Sequence, residues 1–263
     1  MTAAAPGVPL SAIVSYLDKI LDTAGTPDYP GAVNGLQVDG SRPVHHVAVS
    51  VDASLATIDG AVAAGAELLV VHHGLFWSEA RALRGTTYER FRRLLVNDIA
   101  VYSSHLPLDR HPDLGNNVLF ARALELEPRE EFARFQSIAI GVAGRSDVDT
   151  EELVRRATVI ARLDGGTVAA VGIAPGRRTR RWAVCTGAGA SSATLSEAAS
   201  AGIDTLIVGE GPHHTAVEAQ EMGIAVVYAG HYVTETFGVR ALGGELAQHF
   251  GLTWSFIAAP TGL

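Results

Sequence analysis

His72-His73-Gly74 closes the apolar run Leu68-Leu69-Val70-Val71, while His105 and His231 each stand four positions before a carboxylate, Asp109 and Glu235. Imidazole nitrogen and carboxylate oxygen together suit zinc, iron or manganese rather than calcium, so these segments carry the donors of a transition-metal site. The single cysteine, Cys185, excludes a multi-cysteine zinc cluster and any internal disulfide, and it fits a reducing cytoplasm. Any metal must therefore bind through nitrogen and oxygen. A lone histidine at a strand end is more often an ordinary hydrogen-bonded residue than a ligand. Three histidine-bearing segments at equivalent places, two of them with carboxylates, favour a metal centre.

The elements that must position these residues are legible from periodicity. Leu10, Ile13, Val14, Leu17, Ile20 and Leu21 trace one apolar face of an opening helix. The segment Ala64-Gly65-Ala66-Glu67-Leu68-Leu69-Val70-Val71 is echoed by Ala201-Gly202-Ile203-Asp204-Thr205-Leu206-Ile207-Val208. Upstream, the strand His46 to Val51 corresponds to Trp182 to Thr186; downstream, Ile99 to Tyr102 corresponds to Ile224 to Tyr228. Segments 85–97 and 212–222 supply the second crossover helix of each copy. Each copy reads strand, helix, strand, helix, strand, and runs this apolar imply buried parallel strands. The expected fold class is α/β: two similar lobes with parallel-rich sheets, residues 1–127 and 128–263. Between the copies, Ile138 to Val142, Thr150 to Leu163 and Thr167 to Ile173 read as strand, helix and strand belonging to the second lobe.

Aligning the copies sets His105 against His231, Asp109 against Glu235, and His72-His73 against Gly209-Glu210. Ligands collect beyond the carboxyl ends of strands in open α/β sheets, which is where all of these lie. The stretch from His231 to Glu235 leads into an apolar-periodic helix, so the two side chains flank its first turn and can meet on one side. Pro107 and Pro112 forbid a continuous helix after His105, and a compact turn must carry Asp109 back. Adjacent His72 and His73 point to opposite sides if extended, so two metals could take one each. The residues thus predict a dinuclear centre with His72, His73, Asp109, His231 and Glu235 as ligands and Glu235 bridging. Two divalent ions against two carboxylates leave a local excess of about +2, able to attract an anionic substrate.

Composition closes other doors. At 263 residues and 48% hydrophobic content the chain can bury a substantial core, and its net charge of −8 argues against nucleic acid as the main partner. No Gly-Lys-Ser/Thr tripeptide exists for P-loop chemistry, and the only lysine, Lys19, sits on the opening helix, away from Schiff-base roles. Neither a signal peptide nor an apolar run of about 20 residues is found, so a cytoplasmic protein without a membrane partner is expected. The run Arg177-Arg178-Thr179-Arg180-Arg181 reads as a solvated turn, His45, His46, His111 and His249 as surface, and Cys185 as a small core residue. His213 and His214 suit either a helix start or a supporting role beside the site.

In this order, Asn34-Gly35-Leu36-Gln37-Val38, His72-His73-Gly74, His105 to Asp109, Leu114-Gly115-Asn116-Asn117, Cys185-Thr186-Gly187, Gly209-Glu210 and Gly230 to Glu235 resemble the GTP cyclohydrolase 1 type 2 homologue family. Its members are also described as Nif-three-like dinuclear-metal-centre hexameric proteins. The resemblance implies a di-metal site between two α/β lobes and a toroidal homohexamer. It carries the metal ligands over to His72, His73, Asp109, His231 and Glu235, and makes His105 a nearby catalytic or supporting residue. Tyr232 stands where some relatives have a second histidine, and segment 135–181 leaves no room for the domain that longer relatives insert.

The leading functional expectation is a metal-dependent hydrolase of a small anionic substrate containing phosphate or a nucleotide, with His105 moving the proton. A metal-handling or metal-insertion protein, and oxygen chemistry at iron, use the same donors.

Overall fold

The structure is a computed structural model, and it describes residues 7–77 and 82–263. Along the chain lie α1 (Leu10–Ile20), β1 (Gly35–Val38), β2 (His46–Asp52), α2 (Leu55–Ala63), β3 (Leu68–His73), α3 (Gly85–Asn97), β4 (Ala100–Ser103) and α4 (Leu106–Asp109). There follow α5 (Asn116–Ala123), β5 (Glu130–Phe135), β6 (Ile138–Asp149), α6 (Thr150–Leu163), β7 (Ala169–Val171) and β8 (Arg178–Cys185). The chain ends with α7 (Ser192–Ser200), β9 (Thr205–Val208), α8 (His213–Glu221), β10 (Ala225–Tyr228), α9 (His231–Phe250) and β11 (Thr253–Phe256). Among the described residues no helix is long and apolar enough to cross a membrane.

Two compact units divide the chain: Met1–Leu108 with Gly238–Ala259, and Asp109–Phe237 with Pro260–Leu263. They depart from a single cut between residues 127 and 128. The C-terminal part of α9 and β11 belong with the first unit because β11 pairs in parallel with β2, Thr253 opposite His46 and Phe256 opposite Val49.

The first unit holds a sheet of order β1-β4-β3-β2-β11. Its central strands β2, β3 and β4 run parallel, with Asp52 opposite His73 and Val71 opposite Ser103. Val47 to Val49, Leu68 to Val71 and Ala100 to Tyr102 are all buried, as expected where helices cover both faces of a parallel sheet. The short β1 is antiparallel to β4. This register lines up the carboxyl ends of β2, β3 and β4 along one sheet edge.

In the second unit the order is β5-β6-β8-β9-β10-β7. Here β8, β9 and β10 are parallel, with Cys185 opposite Val208 and Val208 opposite Tyr228. The remaining pairings, β5 with β6, β6 with β8 and β10 with β7, are antiparallel. This sheet is therefore mixed rather than parallel-rich. Only two residues, Gln136 and Ser137, separate β5 from β6, and so short a link can join only antiparallel neighbours. Gln136 takes the left-handed backbone conformation that Gly or Asn usually advertises in a sequence. The arginine run is mostly strand rather than turn. Arg178 opens β8 and pairs with Asp147 at 2.9 Å, Arg181 pairs with Glu130 at 2.9 Å, and Arg177 donates to the carbonyls of Asp204 and Gly223.

Helix starts are fastened by side chains. Ser54 and Thr57 form a reciprocal capping box on α2, and the Asp149 carboxylate accepts from the backbone N–H of Glu151 at 2.9 Å to cap α6. Asp149→Ala should lower stability by about 1 kcal/mol in urea unfolding while leaving the folded spectrum unchanged; an unchanged midpoint would remove the cap from the account.

Candidate metal centre

In the first unit, β3 ends on His72 and His73, and His105 follows two residues after β4. The parallel register brings the three rings together, and one nitrogen of each lies within 4.8 Å of the others. Every ring is held from its Nδ1 side. His72 Nδ1 donates to the Ser104 carbonyl at 2.9 Å, His73 Nδ1 to Asp52 Oδ1 at 2.9 Å, and His105 Nδ1 to Asp28 Oδ1 at 2.9 Å. An oxygen acceptor at Nδ1 places the proton there and the lone pair on Nε2, which is how outer carboxylates and carbonyls prepare histidines for coordination.

Asp28 is the hub of that arrangement. Besides His105 it accepts from Asn34 Nδ2 at 2.8 Å and from the Leu106 backbone N–H at 3.1 Å, and the His105 N–H donates to Asn34 Oδ1 at 2.8 Å. Burial pushes the Asp28 carboxyl up, but the hydrogen bonds from His105, Asn34 and the Tyr29 N–H outweigh it and hold the group below its ordinary range. An ionised, buried carboxylate on Nδ1 fixes both the tautomer and the orientation of His105.

In the second unit, His231 and Glu235 begin α9 one turn apart, and Nε2 meets Oε1 at 3.1 Å, the pairing that the helical spacing predicts. His231 Nδ1 contacts Glu210 Oε1 at 2.8 Å, repeating the outer-carboxylate arrangement. Burial disfavours the imidazolium, yet the hydrogen bonds and charges of Glu235 and Glu210 prevail and raise its pKa to about 9. Asp109 ends the single helical turn that Pro107 tolerates near its start; its carboxylate accepts from Asn116 Nδ2 at 2.8 Å. The turn after β8 serves both acids. Thr186 Oγ1 lies 3.5 Å from Asp109 Oδ1, its N–H donates to Asn117 Oδ1 at 2.8 Å, and the Gly187 N–H donates to Thr234 Oγ1 at 3.0 Å. A Cβ on Gly187 would sit 2.1 Å from Glu235 Oε1 and 3.3 Å from His231 Nε2, so only glycine fits against this pair.

Asp28 and Asp52 were not among the residues that the sequence pointed to; Glu210 was, as the repeat equivalent of the His72-His73 pair, but not as the partner of His231. Asp52 ends the strand beside β3, a position that could have flagged it; Asp28 lies in an irregular loop without a periodic signal. His46 departs from the surface expectation, since it opens β2 and both ring nitrogens contact hydroxyls, of Thr253 and of Ser255, at 2.8 Å. His213 and His214 are exposed at the start of α8. Cys185 is buried, and burial, together with the charges of Asp109, Glu197 and Glu235, pushes its thiol up to about 12.

Parallel α/β strands ending in Nδ1-anchored imidazoles and buried carboxylates define a class of protein whose donor set suits divalent metal. The chain belongs to the Duf34/NIF3 (NGG1p interacting factor 3) family, whose profile matches residues 8–261. It is 40% identical to a GTP cyclohydrolase 1 type 2 homolog of Deinococcus radiodurans over 95% of this chain and 93% of that one. A Pyrococcus horikoshii protein of the same name is also 40% identical, over 95% and 98% of the two chains. Among solved structures it is similar to protein ybgI, a protein of unknown function, with a TM-score of 0.86 and 35% identity over 96% and 99% of the chains. Reduced HcgD from Methanocaldococcus jannaschii matches with a TM-score of 0.80 and 25% identity over 95% and 97%.

Gly187→Ala should cost roughly 1–3 kcal/mol of stability through overlap and a left-handed backbone, measured by denaturant titration; a neutral outcome would mean the turn relaxes away from Glu235. The folded chain should resist thiol alkylation at pH 8 and react stoichiometrically once unfolded. Fast labelling of the native protein would contradict the buried, un-ionised state of Cys185.

Proposed function

We propose that this protein binds two divalent metal ions through His72, His73, Asp109, His231 and Glu235, with Glu235 bridging, and hydrolyses a small anionic substrate containing phosphate or a nucleotide. The observation that carries this reading is the shared geometry of the imidazoles: His72, His73 and His231 each have Nδ1 against an oxygen acceptor, which leaves Nε2 as the coordinating nitrogen of His72 and His73, while His231 Nε2, facing Glu235, would exchange its proton for the ion. Asp109 and Glu235 add nearly buried carboxylates, 8% and 2% exposed, whose charge a divalent ion would neutralise. Gly187 keeps the space against Glu235 and His231 clear of side chain. This donor set fits zinc, iron or manganese.

Bound divalent ions would supply a water of lowered pKa and polarise the electrophilic centre of the substrate. The protein's own residues do the rest. His105 accepts and returns the proton at Nε2 while Asp28 holds Nδ1, the division of labour that makes an imidazole an efficient general base. Asp52 and Glu210 keep His73 and His231 in one orientation, so that no rearrangement is required when substrate arrives. The nucleotide class is favoured by the names of the relatives, and a homohexamer by the family resemblance; a particle six times the chain mass in solution would support that assembly, and a stable monomer would exclude it.

Elemental analysis of the purified protein should give about two divalent ions per chain, with Glu235→Gln losing most of both because a bridging ligand serves the pair. His105→Ala should retain the metal and lower turnover of a phosphoester or nucleotide substrate by about 10²–10⁴-fold. Undiminished turnover by metal-stripped protein would overturn the hydrolase reading. A full metal load that exchanges readily and passes to an apo acceptor, without turnover, would assign metal handling instead.

A further inference from the structure

Trp77 is an aromatic residue left partly in solvent beside the histidine cluster. The residue is 36% exposed, yet its ring packs edge-on against His105 with centroids 4.8 Å apart and against His73 at 5.3 Å. Tyr29 touches the same His105 ring at 5.9 Å and is 50% exposed. Residues 74–77 are stitched to segment 33–37. Trp77 Nε1 donates to the Gly74 carbonyl at 2.8 Å, Leu75 N–H to Gln37 Oε1 at 2.6 Å, Gln37 Nε2 to the Val33 carbonyl at 2.6 Å, and Val33 N–H to the Phe76 carbonyl at 3.3 Å. A Cβ at Gly74 would sit 2.3 Å from the Gln37 amide, so glycine is what allows Gln37 to bridge the two segments.

An indole whose N–H is already satisfied and whose position is fixed offers apolar surface without hydrogen-bonding specificity. Rigid exposed aromatics of this kind hold planar ligands by stacking, because every heteroaromatic base has a π-face and little entropy is lost on contact. His105 itself is only 13% exposed at its side chain, while Trp77 and Tyr29, both packed against its ring, present far more of their surface.

We propose that Trp77, with Tyr29, forms the base-recognition wall of the site and that the ligand is a nucleotide whose planar ring stacks there. The inference rests on the proposed small anionic substrate and narrows it from phosphate compounds in general to those carrying a heteroaromatic base.

The test uses the full-length protein as purified, with guanosine 5′-monophosphate and ribose 5-phosphate as paired probes in calorimetry. Wild type should bind the nucleotide at least tenfold more tightly than the sugar phosphate and show quenching of indole fluorescence. Trp77→Leu should erase the preference with metal content unchanged, and Trp77→Phe should keep most of it. Tyr29→Leu, at a half-exposed position, should reduce the preference severalfold and provides the measurement should Trp77→Leu fail to fold. Equal affinity for the two probes in wild type, or a preference that survives both leucine variants, would overturn the proposal. Because metal content is read separately, a base preference that tracks Trp77 in protein lacking metal would sustain this wall while defeating the metal-dependent reading.

Discussion

The hydrogen bond at Nδ1 is the constraint on which the candidate site depends. A neutral imidazole can present its lone pair on either nitrogen and can rotate about two side-chain bonds, so a histidine without a fixed partner is a poor ligand and a poor base. Oxygen acceptors at His72, His73 and His105 remove both freedoms at once, and at His231 the Glu210 carboxylate fixes the ring while Nε2 faces Glu235. Three of the four acceptors are carboxylates, which also strengthen the basicity of the opposite nitrogen.

The backbone is arranged to deliver those partners. Parallel strands ending at a common edge set Asp52 beside His73 by register alone, and the next strand brings Ser104 and His105 to the same edge. In the second unit the ends of β8, β9 and the entry to α9 present Thr186, Gly187, Glu210 and His231 in the same fashion. Burying carboxylates such as Glu235 and Asp109 is expensive, and their charges, added to burial of the thiol itself, help to hold Cys185 un-ionised. A fold retains such groups where charge is needed for binding or catalysis.

The contrast between coordinating and aromatic groups extends this logic to the ligand. Polar donors are gathered at the end of β3 and on the helical turns of α4 and α9, where regular backbone holds them. The exposed indole sits just beyond β3, where residues 74–77 are tied to segment 33–37 by side-chain and main-chain bonds.

Much of this was legible in the chain alone. Apolar runs such as Leu68 to Val71 and Leu206 to Val208 announce buried parallel strands because no other element hides consecutive branched residues on both faces. The four-residue spacing of His231 and Glu235 announces a shared helical face, and the metal-type donors announce themselves by kind. What tertiary structure alone decided were the features that rest on pairing across distance in sequence: the antiparallel β5 and β6, whose Gln136-Ser137 turn lacks the usual glycine; the return of β11 to β2; and the partnership of Asp28 with His105, 77 positions apart. Local propensity encodes the conformation of a segment and the side-chain type fixes its chemistry, but which oxygen meets which nitrogen is settled only when the sheets close.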